Sequence, residues 1–229
     1  METSLHRSLK SRYAASEADT EVRLGAYRID AICNDELIEV QFASLAAIRD
    51  KITALVKKNK VRVVKPIVAQ RRIIRQSEPD GPVVSRRLSP KKGCTLDIFD
   101  ELVFLTRIFP HPNLTIEAPL VSVEEWRLPP GKRRSRRQRF RSKHKVKDVI
   151  LSDVLSTRTF RTAADLKRLA EVSKLPQPFD TADLAKHHQR PRWVAQRITY
   201  VLRKIGAIEE VGKRGNALVY RARKRRQAA

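Results

Sequence analysis

Asp30, Glu39 and Gln41 lie in the segment RIDAICNDELIEVQ (28–41) at a spacing that suits one kind of chemistry. Side chains alternate faces along a strand, so Glu39 and Gln41 share a face while Val40 points the other way, toward a core. If Asn34-Asp35 closes a hairpin, Asp30 on the preceding strand lies beside Glu39. Two carboxylates so placed repel each other unless a divalent cation sits between them. Hard oxygen ligands with open water positions suit Mg2+ or Mn2+. Such an ion lowers the pKa of a bound water and stabilises charge on a scissile phosphate.

A second set of polar side chains lies near the C-terminus, in PRWVAQRITYVLRKIG (191–206). Val194, Ile198, Val201, Leu202 and Ile205 form an apolar stripe, which places Arg192, Gln196, Thr199 and Arg203 opposite it. Arg and Gln hydrogen-bond purine edges in the major groove, which admits a single helix. Lys213 and Arg214 fall in the GKRGN tip of a following hairpin, where they would touch phosphate or the minor groove. The plainer alternative for both sets is a solvated charged face.

The elements that must hold the first set are a helix with Leu5, Leu9 and Tyr13 every fourth residue, then strands at 21–25, 27–33 and 37–42. A helix over 44–58 follows, N-capped by Ser44, and then a strand over 61–68 with Pro66 near its end. Leu96 to Phe109 reads as helical and Leu114 to Trp126 as extended. For the second set, TAADLKRLAEVSKL (162–175) is amphipathic with Thr162 as N-cap, and Asp180-Thr181 opens a short helix. Pro191 starts the long helix, Gly206 ends it, and a hairpin runs through 208–220.

Charge divides the chain. Lys plus Arg is 49 against 25 Asp plus Glu in 229 residues, a formal net charge of +24. Residues 1–127 carry net +4, residues 128–147 carry ten basic and no acidic side chains, and residues 148–229 carry net +10. The middle block reads as a linker, because like charges this dense resist packing. This gives a first domain at 1–127, a basic linker at 128–147 and a second domain at 148–229. An excess of this size calls for a polyanionic partner, of which nucleic acid is the commonest. Cys33 and Cys94 have no partners at zinc-ligand spacing and read as free thiols. The N-terminus lacks an apolar signal region and no run suits a membrane span, so a cytoplasmic, nucleoid-associated protein is expected.

The Asp30, Glu39-x-Gln41 constellation, set between a leading helix and a helix–strand unit, resembles the PD-(D/E)XK nuclease superfamily over about residues 1–70. The resemblance implies an α/β restriction-endonuclease-like core of order α-β-β-β-α-β. It assigns Asp30 and Glu39 to the metal, adds the Val40 carbonyl as a further ligand, and gives Glu2 the place of a first-helix glutamate. The family's last motif position is usually Lys. Gln41 can orient a water but supplies no positive charge there; His6 and Lys10, on one helical face with Glu2, are the candidates to supply it. Three helices and a hairpin over about 160–222 resemble a winged helix-turn-helix domain. Together the two resemblances imply a Mg2+-dependent DNA endonuclease, a metal-dependent deoxyribonuclease delivered by its C-terminal reader to duplex or branched DNA. Homodimerisation is left open. The alternative is a non-catalytic DNA-binding regulator that retains a nuclease-like fold.

Overall fold

A computed structural model describes residues 3–14, 16, 20–130 and 144–223. The architecture is mixed α/β, with one large mixed sheet and one small antiparallel hairpin sheet. The large sheet has the order β1-β2-β3-β4-β7-β5-β6, with β8 pairing β7. By compactness the chain divides into two units, each made of several segments. The first unit takes residues 1–42, 64–94 and 118–158, and the second takes 43–63, 95–117 and 159–229.

The first unit opens with α1 (Ser4–Tyr13), whose N-cap Thr3 accepts a hydrogen bond from the His6 N–H. Strands β1 (Thr20–Leu24), β2 (Tyr27–Cys33) and β3 (Glu36–Val40) follow as an antiparallel meander. Asn34 and Asp35 both take positive φ, at 49° and 59°. Two such residues in a two-residue hairpin loop match the right-handed twist of the flanking strands, as the sequence predicts. Leu5 and Leu9 of α1 pack on Ala31, Ile38, Val40, Val64, Val121, Val123 and Val149.

Pro66 interrupts the chain where one strand was expected over 61–68. Strand β4 (Lys60–Val64) ends before it, and β5 (Ile67–Gln76) begins after it. β5 pairs antiparallel with β6 (Val83–Leu88) and parallel with β7 (Leu114–Leu128). The extended reading of 114–126 is thus realised, whereas β6 and the later part of β5 had no predicted counterpart.

The second unit contains two short helical stretches. Leu45–Ile48 is a 3-10 turn capped by Ser44, and α2 (Arg49–Leu55) continues it. The helix expected over 44–58 is therefore shorter, and the Asn59 amide and backbone N–H close its end on the Leu55 carbonyl. Likewise the helix expected over 96–109 reduces to a 3-10 turn at Thr95–Ile98 and α3 (Phe99–Leu102). The Glu101 carboxylate of α3 accepts from the Leu45 N–H at 2.8 Å, which ties the two stretches together.

The C-terminal part of this unit runs α4 (Ala163–Leu169), α5 (Thr181–His188), α6 (Arg192–Lys204), β9 (Ile208–Arg214) and β10 (Ala217–Ala222). Thr162 and Asp165 make a reciprocal capping box on α4, and Asp180 and Asp183 make another on α5, each satisfying helix-end N–H groups. Pro191 serves as the N-cap of α6, one place earlier than the first-turn position expected. Gly206, at φ 73°, follows its end. Phe179 forms an isolated antiparallel bridge to Tyr220, so the hairpin gains a third short strand position.

The predicted boundaries differ from the observed ones. Lys145–Phe160 forms the long strand β8, and Val149 joins the α1 core, so residues 148–158 belong to the first unit rather than to a C-terminal domain. The change in charge at residue 147 put the start of β8 in the linker and the rest in the second domain, whereas Val149, Leu151 and Val154 pack it on the α1 core. Residues 131–143 of the expected linker lie outside the described residues. Among the described residues no helix is long and apolar enough to cross a membrane.

Candidate functional site

Strands β2 and β3 pair from Cys33↔Glu36 to Ala31↔Ile38, so Asp30 and Glu39 are the next residues on the two strands. Beyond Ala31 the Asp30 side chain takes over from the ladder. Its Oδ2 accepts the Val40 N–H at 2.9 Å. The same carboxylate faces two side chains of α1, with His6 Nε2 at 3.5 Å and Lys10 Nζ at 3.8 Å. His6 Nε2 donates to the Val40 carbonyl at 2.7 Å, and Lys10 Nζ donates to Glu21 Oε1 at 2.6 Å. Glu21 sits at φ 55° in β1 and also accepts from Arg28.

The electrostatics follow from this packing. Burial alone would raise the Asp30 carboxyl, but the His6 contact, the Val40 N–H and the Lys10 charge hold it below the ordinary aspartate range. The hydrogen bond and charge of Lys10, with help from Arg28, hold Glu21 low as well. Lys10 is 5% exposed, which a lone ammonium would not tolerate without these two carboxylates. The result is a closed set of opposed charges at the edge of the α1 core.

This arrangement tests the expected metal site. Asp30 turns its oxygens to His6, Lys10 and the Val40 N–H, and the Val40 carbonyl receives His6. Glu39 is only 3% exposed, since both faces of β3 are covered. Among the described residues no group of three or more His, Cys, Asp or Glu could hold a metal ion. In the described structure the Asp30 oxygens and the Val40 carbonyl, two of the three expected metal ligands, are engaged by protein groups. Gln41 is anchored through its N–H to the Val64 carbonyl at 2.9 Å. Glu2 lies outside the described residues. Glu21 is an exposed residue of β1, and Lys10 reaches out to it.

The C-terminal set is arranged differently. Ala195, Ile198, Val201 and Leu202 are buried, so α6 lays one face inward and leaves Arg192, Gln196 and Arg203 on the other. These three line a groove of about 280 Å³ with Tyr200 and, from the hairpin, Asn216. Arg192 Nε donates to Thr181 Oγ1 at 3.1 Å, and Arg203 pairs with Glu210 at 3.1 Å, both on the groove's edge. Lys213 is exposed on β9, opposite Leu218 of β10.

Two expectations are corrected here. Thr199 is only 2% exposed, and its hydroxyl donates to the Ala195 and Gln196 carbonyls at 3.0 Å each. At 100° per residue a choice between positions 199 and 200 decides which side chain meets solvent, and Tyr200 takes the outer place. Arg214, although exposed, is engaged within the domain. Its guanidinium pairs with Asp180 at 3.3 Å and Asp183 at 3.1 Å, and donates to the Pro178 carbonyl. The strands also run further than expected, the first to Arg214 and the second to Ala222, so the tip is only Gly215-Asn216.

The sequence profile of a family described as Domain of unknown function (DUF8091) matches residues 3–161. An uncharacterized protein of Treponema pallidum (strain Nichols) is 32% identical over 222 residues, covering 96% of this chain and 85% of that protein. No solved structure matches. The family match ends one residue past β8, while the similarity to the Treponema protein also takes in most of the C-terminal helices and hairpin.

Proposed function

For a chain that belongs to the DUF8091 family, we propose the function of a non-catalytic duplex-DNA-binding protein whose reader is α6 with the β9–β10 hairpin, in the manner of a winged helix-turn-helix. The observation that carries this is the groove lined by Arg192, Gln196 and Arg203 on the exposed face of α6, with the hairpin at its side. A helix presenting Arg and Gln suits base edges in the major groove, and a formal net charge of +24 suits the phosphates. Lys213 is the hairpin's phosphate contact in this reading. In this reading the acidic residues around Asp30 serve structure. A protein working on chromosomal DNA in this way is placed in the cytoplasm, at the nucleoid.

The test is an equilibrium titration of the full chain with duplex DNA across salt concentrations. Affinity falls roughly a thousandfold or more between 50 and 200 mM salt if six or more phosphates are neutralised. Binding that is absent at low salt removes the reading.

The second reading is a Mg2+- or Mn2+-dependent endonuclease with a restriction-endonuclease-like core. One observation favours it: the Lys10 ammonium, 3.8 Å from Asp30, stands where it could supply the charge that Gln41 lacks. Plasmid incubated with the full chain and either metal, with EDTA as control, decides between the two. Cleavage that needs the metal and disappears in both Asp30→Asn and Glu39→Gln would replace the first reading; no nicking leaves it standing.

A further inference from the structure

Helix α6 presents a second exposed face, and that face is aromatic. Trp193 is 50% exposed and Tyr200 41%. They stand seven residues apart, two turns along one side of the helix and about 10 Å apart in rise. Each ring has a cation over it. The Arg197 guanidinium lies 4.8 Å from the Trp193 ring centre, and the Lys204 ammonium lies 5.9 Å from that of Tyr200. Arg197 is fixed further by Asp100 at 2.8 Å. An open cleft of about 320 Å³ runs between the rings, bordered by Val103 and Gln196.

The groove accounts for Tyr200 but not for Trp193. The apolar stripe of the helix is already buried, and half of Trp193 stays outside it. A surface meant to be covered by a protein core would be apolar at its centre, yet here two cations lie over the rings. Exposed aromatic faces with cations beside them suit a planar, polyanionic ligand. Nucleobases stack on such rings while the adjoining phosphates meet the cations. Inside a duplex the base faces are covered by their neighbours, so only unpaired bases reach the rings. Gln196 and Tyr200 border both this cleft and the groove proposed for duplex DNA, so one DNA molecule can occupy both.

We infer that Trp193 and Tyr200 form a stacking platform for unpaired bases, and that the preferred ligand is duplex DNA continued by an unpaired stretch. The inference rests on the duplex-binding reading and specifies its substrate class. It is tested with the full chain and three labelled probes in an anisotropy titration. The first is a blunt duplex, the second carries an oligothymidine overhang, and the third carries an abasic overhang of equal length and charge. Wild type binds the thymidine overhang roughly tenfold more tightly than the abasic one, the effect of a single good stack. Trp193→Ala loses most of that preference and keeps blunt-duplex affinity, while Trp193→Phe retains the preference; Tyr200→Ala, whose ring also borders the duplex groove, loses affinity for the thymidine overhang beyond any change it shows on blunt duplex. Equal affinity for the two overhangs, with blunt-duplex binding intact, overturns the platform alone and gives the face to another occupant. A loss in Trp193→Ala of equal size on all three probes makes the ring a duplex contact and also overturns it. Absence of blunt-duplex binding in wild type removes the duplex reading itself. Far-ultraviolet circular dichroism of each variant separates these outcomes from misfolding.

Discussion

Around Asp30 the first unit sets His6, Lys10, Glu21 and Arg28 against one another, so that cations and carboxylates meet at hydrogen-bonding range beside a packed core. Along α6 the second unit places Arg192, Gln196, Arg203 and, on the hairpin, Lys213 at the surface. Both regions are rich in the residue types that do chemistry, and their composition alone does not distinguish them. What separates them is whether the charge is consumed within the fold. The buried Lys10 ammonium is tied to its carboxylates because it would be costly without them, whereas an exposed cation costs the fold little and is available to a polyanion.

The sharpest break of this comparison is Lys10→Met. It takes the shared cation from Asp30 and Glu21, and a fall in the unfolding midpoint is expected, discounted for the solvent that screens Glu21. Denaturant unfolding measures it; a variant as stable as wild type would show the network to be surface charge.

On α6 the expectation reverses. Arg192→Ala and Gln196→Ala each weaken DNA binding by roughly 1–3 kcal/mol and relax sequence preference if they touch base edges. Their unfolding free energies stay within about 0.5 kcal/mol of wild type. Lys213→Ala weakens binding to all sequences alike and lowers the salt slope by about one. Stability losses in place of affinity losses would move this face into the structural class.

Acid pH sharpens the comparison without mutation. The Asp30 and Glu21 carboxyls are held low in the folded chain, so the unfolded chain takes up their protons first as pH falls. The stability they give is complete above the ordinary carboxylate range, near pH 4, and is lost as pH drops through their lowered folded values. Asp30→Asn flattens that acid limb when stability is followed by urea titration from pH 6 to pH 2. An unchanged acid limb would separate Asp30 from the network.

The smallest effect is expected at Thr199. Thr199→Val removes a buried hydroxyl bonded to carbonyls of its own helix and costs about 1 kcal/mol of stability. DNA affinity should not change in this variant, and a measurable loss would return Thr199 to the interface.

Much of this was legible in the sequence where period and punctuation agree. The Asn34-Asp35 turn, the Thr162 and Asp180 caps and the α6 stripe are local signals, and each is found where it was read. The segments that went astray depend on distant partners. β8 carries basic residues that read as a linker, and only pairing with β7 makes a strand of it. In the candidate sites the residue types were readable and their partners were not. Asp30 and Glu39 stand at neighbouring ladder positions, but nothing in the spacing tells that His6 reaches the Val40 carbonyl or that Arg214 folds back on Asp180.

The two units are threaded through one another in sequence, with the chain passing between them after residues 42, 63, 94, 117 and 158. In terms of folding kinetics this is a high contact order: residues 43–63 must await residues 159–229 before their unit is complete. During synthesis on the ribosome the first unit has all its residues once residue 158 has emerged, but the second does not follow it as one contiguous domain. Nor does any single cut yield a whole unit. A protease nick at residue 158 would release α4 to β10 without α2 and α3, so the reader cannot be inherited, shuffled or excised as a contiguous cassette.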